Sequence, residues 1–186
     1  MAGVDSRQAA LLRGVNVGSA KRVAMADLRS LVADLGYGDV ATLLNSGNVV
    51  YDARGAAPAA AAARIQAALA ERLGVSSRVV ALSAAELAEA VAAAPFAGRA
   101  DDPSRLLVAV PNDPVDLASL EPLAARDWGD EALALGRRVA YLWCPDGVIA
   151  SRISAAVNDV LRDGVTSRNW TTMVKLAALA GAGTTH

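Results

Sequence analysis

Short apolar runs alternate with helix-periodic segments along the first half of the chain. Residues 8–13 and 48–52 are apolar runs bounded by glycine or turn residues, which predicts two buried strands. Residues 25–35 carry apolar side chains three or four positions apart, as on the buried face of a helix. Residues 40–44 form another predicted strand, which the turn-forming residues 45–48 join to the next one.

The rest of the first half continues this pattern. Pro58 stands where the first residue of a helix favours proline, and Gly74 ends the same helical face. Residues 78–82 are a fourth predicted strand, after which Ser83 and Glu86 have the spacing of a capping box that opens a further helix. The order β-α-β-β-α-β plus one helix is that of the split βαβ, or ferredoxin-like, fold.

The second half repeats the order of elements without obvious residue identity. A polar stretch at residues 98–104 holds Gly, Asp and Pro and is the predicted linker. Strands are then expected at 106–110, 131–135, 138–144 and 164–166, and helices at 113–125, from Ser151 to Gly164, and after Asn169. A turn at Gly136 joins the middle strands, and Arg137 and Arg138 are expected to be solvated there.

The predicted fold is therefore α+β, with two tandem ferredoxin-like β-α-β-β-α-β lobes, antiparallel sheets and an extra helix after each lobe. The first domain is expected to span residues 1–97 and to carry the loops RGVNVG and NSGN. The second is expected to span residues 98–186 and to carry the C-terminal helix that begins at TSRNW.

Composition excludes several classes of function. The chain has 186 residues and a formal net charge of −1, so nucleic-acid binding would need a local basic patch. Cys144 is the one cysteine and His186 the one histidine, which leaves no disulfide framework, no His-ligated metal site and no histidine-based triad. No cofactor or metal is expected. The chain shows no apolar leader and no apolar span of about 20 residues, so we expect a cytoplasmic protein without a membrane anchor.

Four stretches resemble an uncharacterised bacterial family of unknown function, DUF1697. They are ALLRGVNVGSAKRVAMADL, LLNSGNVVYDA, YLWCPDG and TSRNWTTMVKLAAL, in the family's order and over nearly the whole chain. Ser19, Ala24 and Thr171 stand where the family pattern usually has glycine, proline and asparagine. The resemblance implies a small two-lobed α+β protein, and it implies no substrate or reaction.

Topology brings two polar loops together in the predicted first lobe. In the β-α-β-β-α-β sheet, the end of the first strand and the hairpin between the second and third strands lie at the same end of the sheet, so loops 13–16 and 45–48 should converge. The first loop leads into a helix N-terminus, where free N–H groups favour an anion. Residues 7–29 carry five basic side chains (Arg7, Arg13, Lys21, Arg22 and Arg29) against one acid, Asp27.

These features give a hypothetical set of ligand-binding residues. The first-lobe members are Arg13, Gly14, Asn16, Gly18, Lys21, Ser46, Gly47 and Asn48. Arg168, Asn169 and Trp170 complete the set, because an arginine fork binds anions and an indole ring stacks on a base. The structural alternative is that the asparagines and glycines only shape turns, that Asn169 caps a helix, that Trp170 packs between the lobes and that Arg168 bonds carbonyls.

The spacing of the glycines matches neither the Walker A loop nor the dinucleotide fingerprint. The favoured function is a binding module for an anionic ligand, either a phosphorylated small molecule or a nucleic acid. The alternatives are a small enzyme that acts on an anionic substrate without histidine or metal, and a protein-interaction or structural domain that uses exposed sheet edges or the Ala-rich helices. Whether the protein is an enzyme stays open at this point.

Overall fold

The computed structural model describes residues 6–19, 21–96, 98 and 102–181. Residues 99–101 of the predicted linker and the terminal His186 lie outside the described residues. In the described part, two four-stranded sheets follow one another along the chain.

The first sheet has the order β2-β3-β1-β4, and its paired strands are antiparallel. Its strands are β1 (Arg7–Leu12), β2 (Gly38–Leu43), β3 (Asn48–Asp52) and β4 (Val79–Ser83). The helices of this half are α1 (Met25–Asp34), α2 (Pro58–Leu73) and α3 (Ala84–Ala93). This is the strand order of the ferredoxin-like fold that the sequence predicts.

One hydrophobic core lies between this sheet and helices α1 and α2. Alternate residues of a strand point to the same face, and the helix-facing residues of β1 and β3 include Leu12 and Tyr51. They form a single buried cluster with Leu28 of α1 and Ile65 of α2. All four are fully buried. The cluster fixes where β1 ends and where β3 begins, and it therefore fixes the position of the loops that follow β1 and precede β3.

The second sheet repeats this topology with the order β6-β7-β5-β8, again antiparallel. Its strands are β5 (Leu106–Pro111), β6 (Ala132–Leu135), β7 (Ala140–Trp143) and β8 (Val165–Asn169). The α-helices are α4 (Glu121–Ala124), α5 (Arg152–Leu161) and α6 (Trp170–Gly181), and 3-10 turns lie at Pro103–Arg105, Pro114–Leu120 and Arg162–Gly164. The predicted α+β class with tandem lobes, each followed by a helix, is confirmed.

Two local predictions for the second half are wrong. The helix expected over 113–125 is a 3-10 segment followed by one α-helical turn, because Pro122 lacks an N–H and is accommodated at the start of α4. Arg138 was expected in solvent, but its side chain is buried and its Nη1 donates to the Pro111 carbonyl oxygen at 2.7 Å.

The chain divides into two compact units by its contacts. One comprises Met1–Ala88 with Leu176–His186, and the other comprises Glu89–Lys175. The domain boundary drawn from the sequence between residues 97 and 98 stays a prediction. No helix in the described part is long and apolar enough to cross a membrane.

A carboxylate from another part of the second unit caps helix α5. Glu131 Oε2 accepts from Ser151 Oγ at 2.6 Å and from the Ile153 N–H at 3.1 Å, and Oε1 accepts from the Arg152 N–H at 3.2 Å. Desolvation disfavours the charged form of Glu131, but these hydrogen bonds together outweigh it and hold the pKa of Glu131 below its usual value. The charged carboxylate therefore stabilises the folded state.

We expect Glu131→Gln to flatten the acid side of the stability profile. Because the folded-state pKa is lowered, the stabilisation by Glu131 is fully present above its ordinary pKa of about 4.5 and is lost as pH falls through the folded-state value. The free energy of urea unfolding, measured from pH 7 to pH 2, should fall less steeply below about pH 4.5 in the variant. Glu121→Gln, at an exposed glutamate, should keep the wild-type profile, and equal profiles for all three proteins would contradict the capping role.

Candidate functional site

The loop after β1 and the β2–β3 hairpin lie against each other in the first unit. The Leu12 N–H donates to the Gly47 carbonyl oxygen at 2.9 Å. Asn16 Nδ2 donates to the Asn45 carbonyl oxygen at 2.7 Å. The predicted convergence of these two loops is therefore present in the fold, since both loops lie at the same end of the sheet.

Asn16 closes the first loop into a ring. Its Nδ2 also donates to the Val23 carbonyl oxygen at 2.8 Å, and its Oδ1 accepts from the Val23 N–H at 2.9 Å. Its own backbone N–H donates to the Lys21 carbonyl oxygen at 2.9 Å. Asn16 has a φ of 56°, a left-handed conformation that asparagine tolerates better than most residues. Its carboxamide is thus used to hold the loop in shape.

Asn48 and Ser46 brace the hairpin in a similar way. Asn48 is fully buried, and its Nδ2 donates to the Leu43 carbonyl oxygen and to Ser46 Oγ, both at 2.9 Å. A buried amide without partners would cost free energy, so these bonds make the turn specific. The Asn48 carboxamide therefore holds the hairpin in shape.

The glycines of the two loops have different tasks. Gly14 and Gly18 have φ values of 63° and 59°, and a Cβ on either would meet no atom within 4 Å. Gly47 has a φ of 81°, and a Cβ there would lie 2.5 Å from Val15 Cγ2 and 2.8 Å from Leu12 Cβ. Gly14 and Gly18 supply a left-handed backbone conformation, whereas Gly47 also permits close packing of the two loops.

An open pocket of about 400 Å³ lies beside this ring, at the start of α1. Its lining residues are Asn16, Arg22, Val23, Ala24, Met25 and Asn45. Ala24 occupies the N-cap of α1 and has no side chain that could accept from the first-turn N–H groups. The pocket therefore combines the positive end of a helix dipole with the side chain of Arg22.

Arg22 is the residue that the sequence-derived set omits. Its side chain is exposed, and its Nη2 donates to the Gly18 carbonyl oxygen at 2.7 Å, which holds the guanidinium over the loop. The signal in the sequence was its position two residues before an uncapped helix start. The neighbouring Lys21 is also exposed.

The other basic residues near the loop lie in different places. Arg13 is half-buried, its backbone N–H donates to the Arg78 carbonyl oxygen at 2.9 Å, and its carbonyl oxygen accepts from Ser77 Oγ at 2.8 Å. Arg7 begins β1, at the opposite end of that strand from the loop, and lies 3.9 Å from Asp39. Arg7 therefore adds nothing to the local positive charge that the sequence indicated.

Arg168, Asn169 and Trp170 belong to the second unit. Asn169 Oδ1 accepts from the Thr172 N–H at 2.9 Å, so its predicted capping of the last helix is confirmed. Arg168 Nη1 donates to the Ser167 carbonyl oxygen at 2.9 Å, and burial lowers the pKa of Arg168 to about 10. The Trp170 ring lies 6.4 Å from that of Tyr141. Their place in the ligand-binding set stays a prediction.

Groups that often carry catalysis or bind metals are sparse in the described part of the chain. No cluster of three His, Cys, Asp or Glu side chains that could hold a metal ion occurs there. Cys144 is buried, and burial raises the pKa of its thiol above the usual value, so little reactive thiolate forms at neutral pH.

A protein family and the fold of a solved structure are similar to this chain. The model of the family described as "Protein of unknown function (DUF1697)" matches residues 6–141, so the chain belongs to that family. The conserved bacterial protein SP0830 from Streptococcus pneumoniae is similar, with a TM-score of 0.77 and 22% sequence identity over 95% of this chain and 98% of that one. At that identity the likeness shows the fold alone. No curated protein matches.

The packing at Gly47 can be tested with a matched glycine. Gly47→Ala should lower the free energy of unfolding by about 2–4 kcal/mol, since the added methyl group overlaps Val15 and Leu12 and the positive φ adds strain. Gly55→Ala is the control, because Gly55 has a φ of 87° but open space around its Cβ position. It should cost about 1 kcal/mol. Equal losses in urea unfolding would show that the two loops do not pack as described.

Proposed function

We propose that this member of the DUF1697 family binds a small anionic ligand, of the phosphorylated class, in the pocket at the start of α1. The observation that carries the proposal is the combination in one pocket of about 400 Å³ of the uncapped helix start and Arg22. The proposal deepens the binding-module hypothesis drawn from the sequence, and it gives the contact role to Arg22.

Electrostatics favour an anion at this position. The N–H groups of the first turn of α1 have no carbonyl partner within the helix, and the helix dipole places partial positive charge there. Arg22 lines the pocket, the preceding residue Lys21 is exposed, and the first helical turn contains one acid, Asp27. A phosphate group has enough acceptor oxygens to take hydrogen bonds from the backbone and from a guanidinium together.

The rigid frame of the loops supports the same function. The side-chain amides of Asn16 and Asn48 donate to backbone carbonyl oxygens and to Ser46 Oγ, so the loops have their shape before a ligand binds. Preorganisation lowers the entropy cost of binding. We assign Asn16, Ser46, Gly47 and Asn48 to the frame and Arg22, Lys21 and the helix start to ligand contact.

The size of the pocket favours a small molecule over a nucleic acid. A volume of about 400 Å³ lies within the range of small-molecule sites. The chain has a net charge of −1, which provides no extended field for a polyanion. Nucleic acid therefore remains as an outcome of the binding experiment, where salt dependence identifies it.

We expect Arg22→Ala to weaken the binding of phosphate-bearing ligands about 10- to 100-fold, the loss expected for a charge-assisted hydrogen bond. The measurement is titration with inorganic phosphate, pyrophosphate and a nucleotide panel, followed by calorimetry and by backbone amide shifts at residues 22–27. Arg54→Ala is the control, because Arg54 is an exposed arginine that follows β3 at the far end of the same sheet. It should bind as the wild type does.

Two results would reject the proposal: no binding of any panel member at millimolar concentration, or equal losses for Arg22→Ala and Arg54→Ala. Binding of oligonucleotides alone, with an affinity that falls steeply as salt is raised, would assign the basic loop to nucleic acid instead.

A further inference from the structure

Strand β6 forms an open edge of the second sheet. It lies at the end of the order β6-β7-β5-β8, and among the described residues β7 is its one strand neighbour. All four residues of β6, Ala132–Leu135, are half-exposed and apolar. An edge of this kind presents unpaired backbone groups to any strand that can approach.

The hydrogen-bond pattern shows which backbone groups point outward. Gly136 donates its N–H to the Val139 carbonyl oxygen at 2.8 Å, which makes these two residues a hydrogen-bonded pair. In the register of β6 and β7, bonded and non-bonded pairs alternate, so Ala134 and Ala132 bond inward to β7. The N–H and C=O groups of Leu133 and Leu135 therefore point away from the sheet.

The corresponding edge of the first sheet is protected. Strand β2 has an irregular register between Gly38 and Ala41, and Asp39 within it has a φ of 44°. Bulges and charged residues are common devices that prevent edge-to-edge pairing. Strand β6 pairs regularly with β7 along its whole length and contains neither a charge nor a proline.

We propose that β6 pairs antiparallel with β6 of a second copy of this chain, which joins two four-stranded sheets into one continuous sheet across a two-fold axis. The distribution of charges along this segment favours a second copy of the chain as the partner of β6. The segment begins with Asp130 and Glu131 and ends with Arg137 and Arg138, so its own reversed copy places acidic ends beside basic ends.

The outward pattern and the charges select the same register. Residues whose backbone N–H and C=O groups point outward must lie opposite one another in the two strands. Leu133 opposite Leu135 of the second copy meets this condition. That register also sets Glu131 opposite Arg137 of the second copy and places Ala134 on the two-fold axis, opposite itself. A shift by two residues in either direction sets Glu131 opposite Leu135 or Leu133 opposite Arg137, which loses the charge match.

The exposure of the charged side chains around β6 decides which of them can form new contacts in the proposed dimer. The Arg137 side chain is 83% exposed and lies 3.9 Å from Glu89, a surface ion pair that costs little to exchange. Asp130 is exposed as well. Arg138 is buried against Pro111, and the Glu131 carboxylate is held by α5, so these two act through charge and not through new hydrogen bonds. A four-residue strand buries little area, so the dimer is expected to be weak.

The test uses complementary charges at Ala134. In sedimentation velocity over a concentration series to about 1 mM, a range that spans weak interfaces, the wild-type mass should rise from 19.0 kDa towards twice that value. Ala134→Lys and Ala134→Glu each place like charges opposite one another, so each should weaken the dimer at least about tenfold. An equal mixture of the two variants should restore or exceed wild-type dimerisation, which misfolded variants could not do.

Ala41→Lys on β2 is the matched control, since Ala41 is a half-exposed alanine on the protected edge strand of the other sheet. It should leave dimerisation unchanged. A wild-type chain that stays monomeric at every concentration would overturn the proposal. So would a dimer that Ala134→Lys leaves intact, or a mixture of the two charge variants that fails to associate.

Discussion

The carboxamide of Asn16 is the interaction on which the loop cluster of the first unit depends. It donates to the carbonyl oxygens of Val23 and Asn45 and accepts from the Val23 N–H, so one planar group ties three chain segments together. Aspartate has the same shape but lacks the donor, and alanine lacks both functions. Because this amide ties Asn16 to Val23 and to the hairpin residue Asn45, it also fixes the start of α1 and the shape of the neighbouring pocket.

Much of the fold could be read from the residues, because the signals were local. The capping box at Ser83 and Glu86 is present with both of its hydrogen bonds, and proline and glycine bound α2 as expected. The burial of Arg138 could not be read in this way, since a charged residue at a hairpin is usually solvated and its partner, Pro111, is remote in sequence. The broken helix at Pro122 did have a local signal, because a proline inside a helical pattern interrupts the helix.

The candidate site was harder to predict than the fold for a chemical reason. Asparagine, serine and glycine are the residues that hold phosphates, and they are also the residues that shape turns. Topology could bring loops 13–16 and 45–48 together, but it could not give the direction of the Asn16 and Asn48 amides. Because those amides bond to the protein itself, the proposal gives the contact role to Arg22, whose one signal in the sequence is its position before a helix start without a capping side chain.

The two sheets share one topology and therefore share one difficulty, the exposed second strand of each ferredoxin-like unit. Strand β2 meets it with an irregular register and a charged residue, whereas β6 stays regular and apolar. A regular apolar edge is costly unless something covers it. Glu131 gives a physical reason for the regularity, because its carboxylate must reach the start of α5 just before β6 begins, and a bulge there would displace it. The same residue thus holds α5 in place and, in the proposed dimer, supplies negative charge opposite the basic end of the second copy.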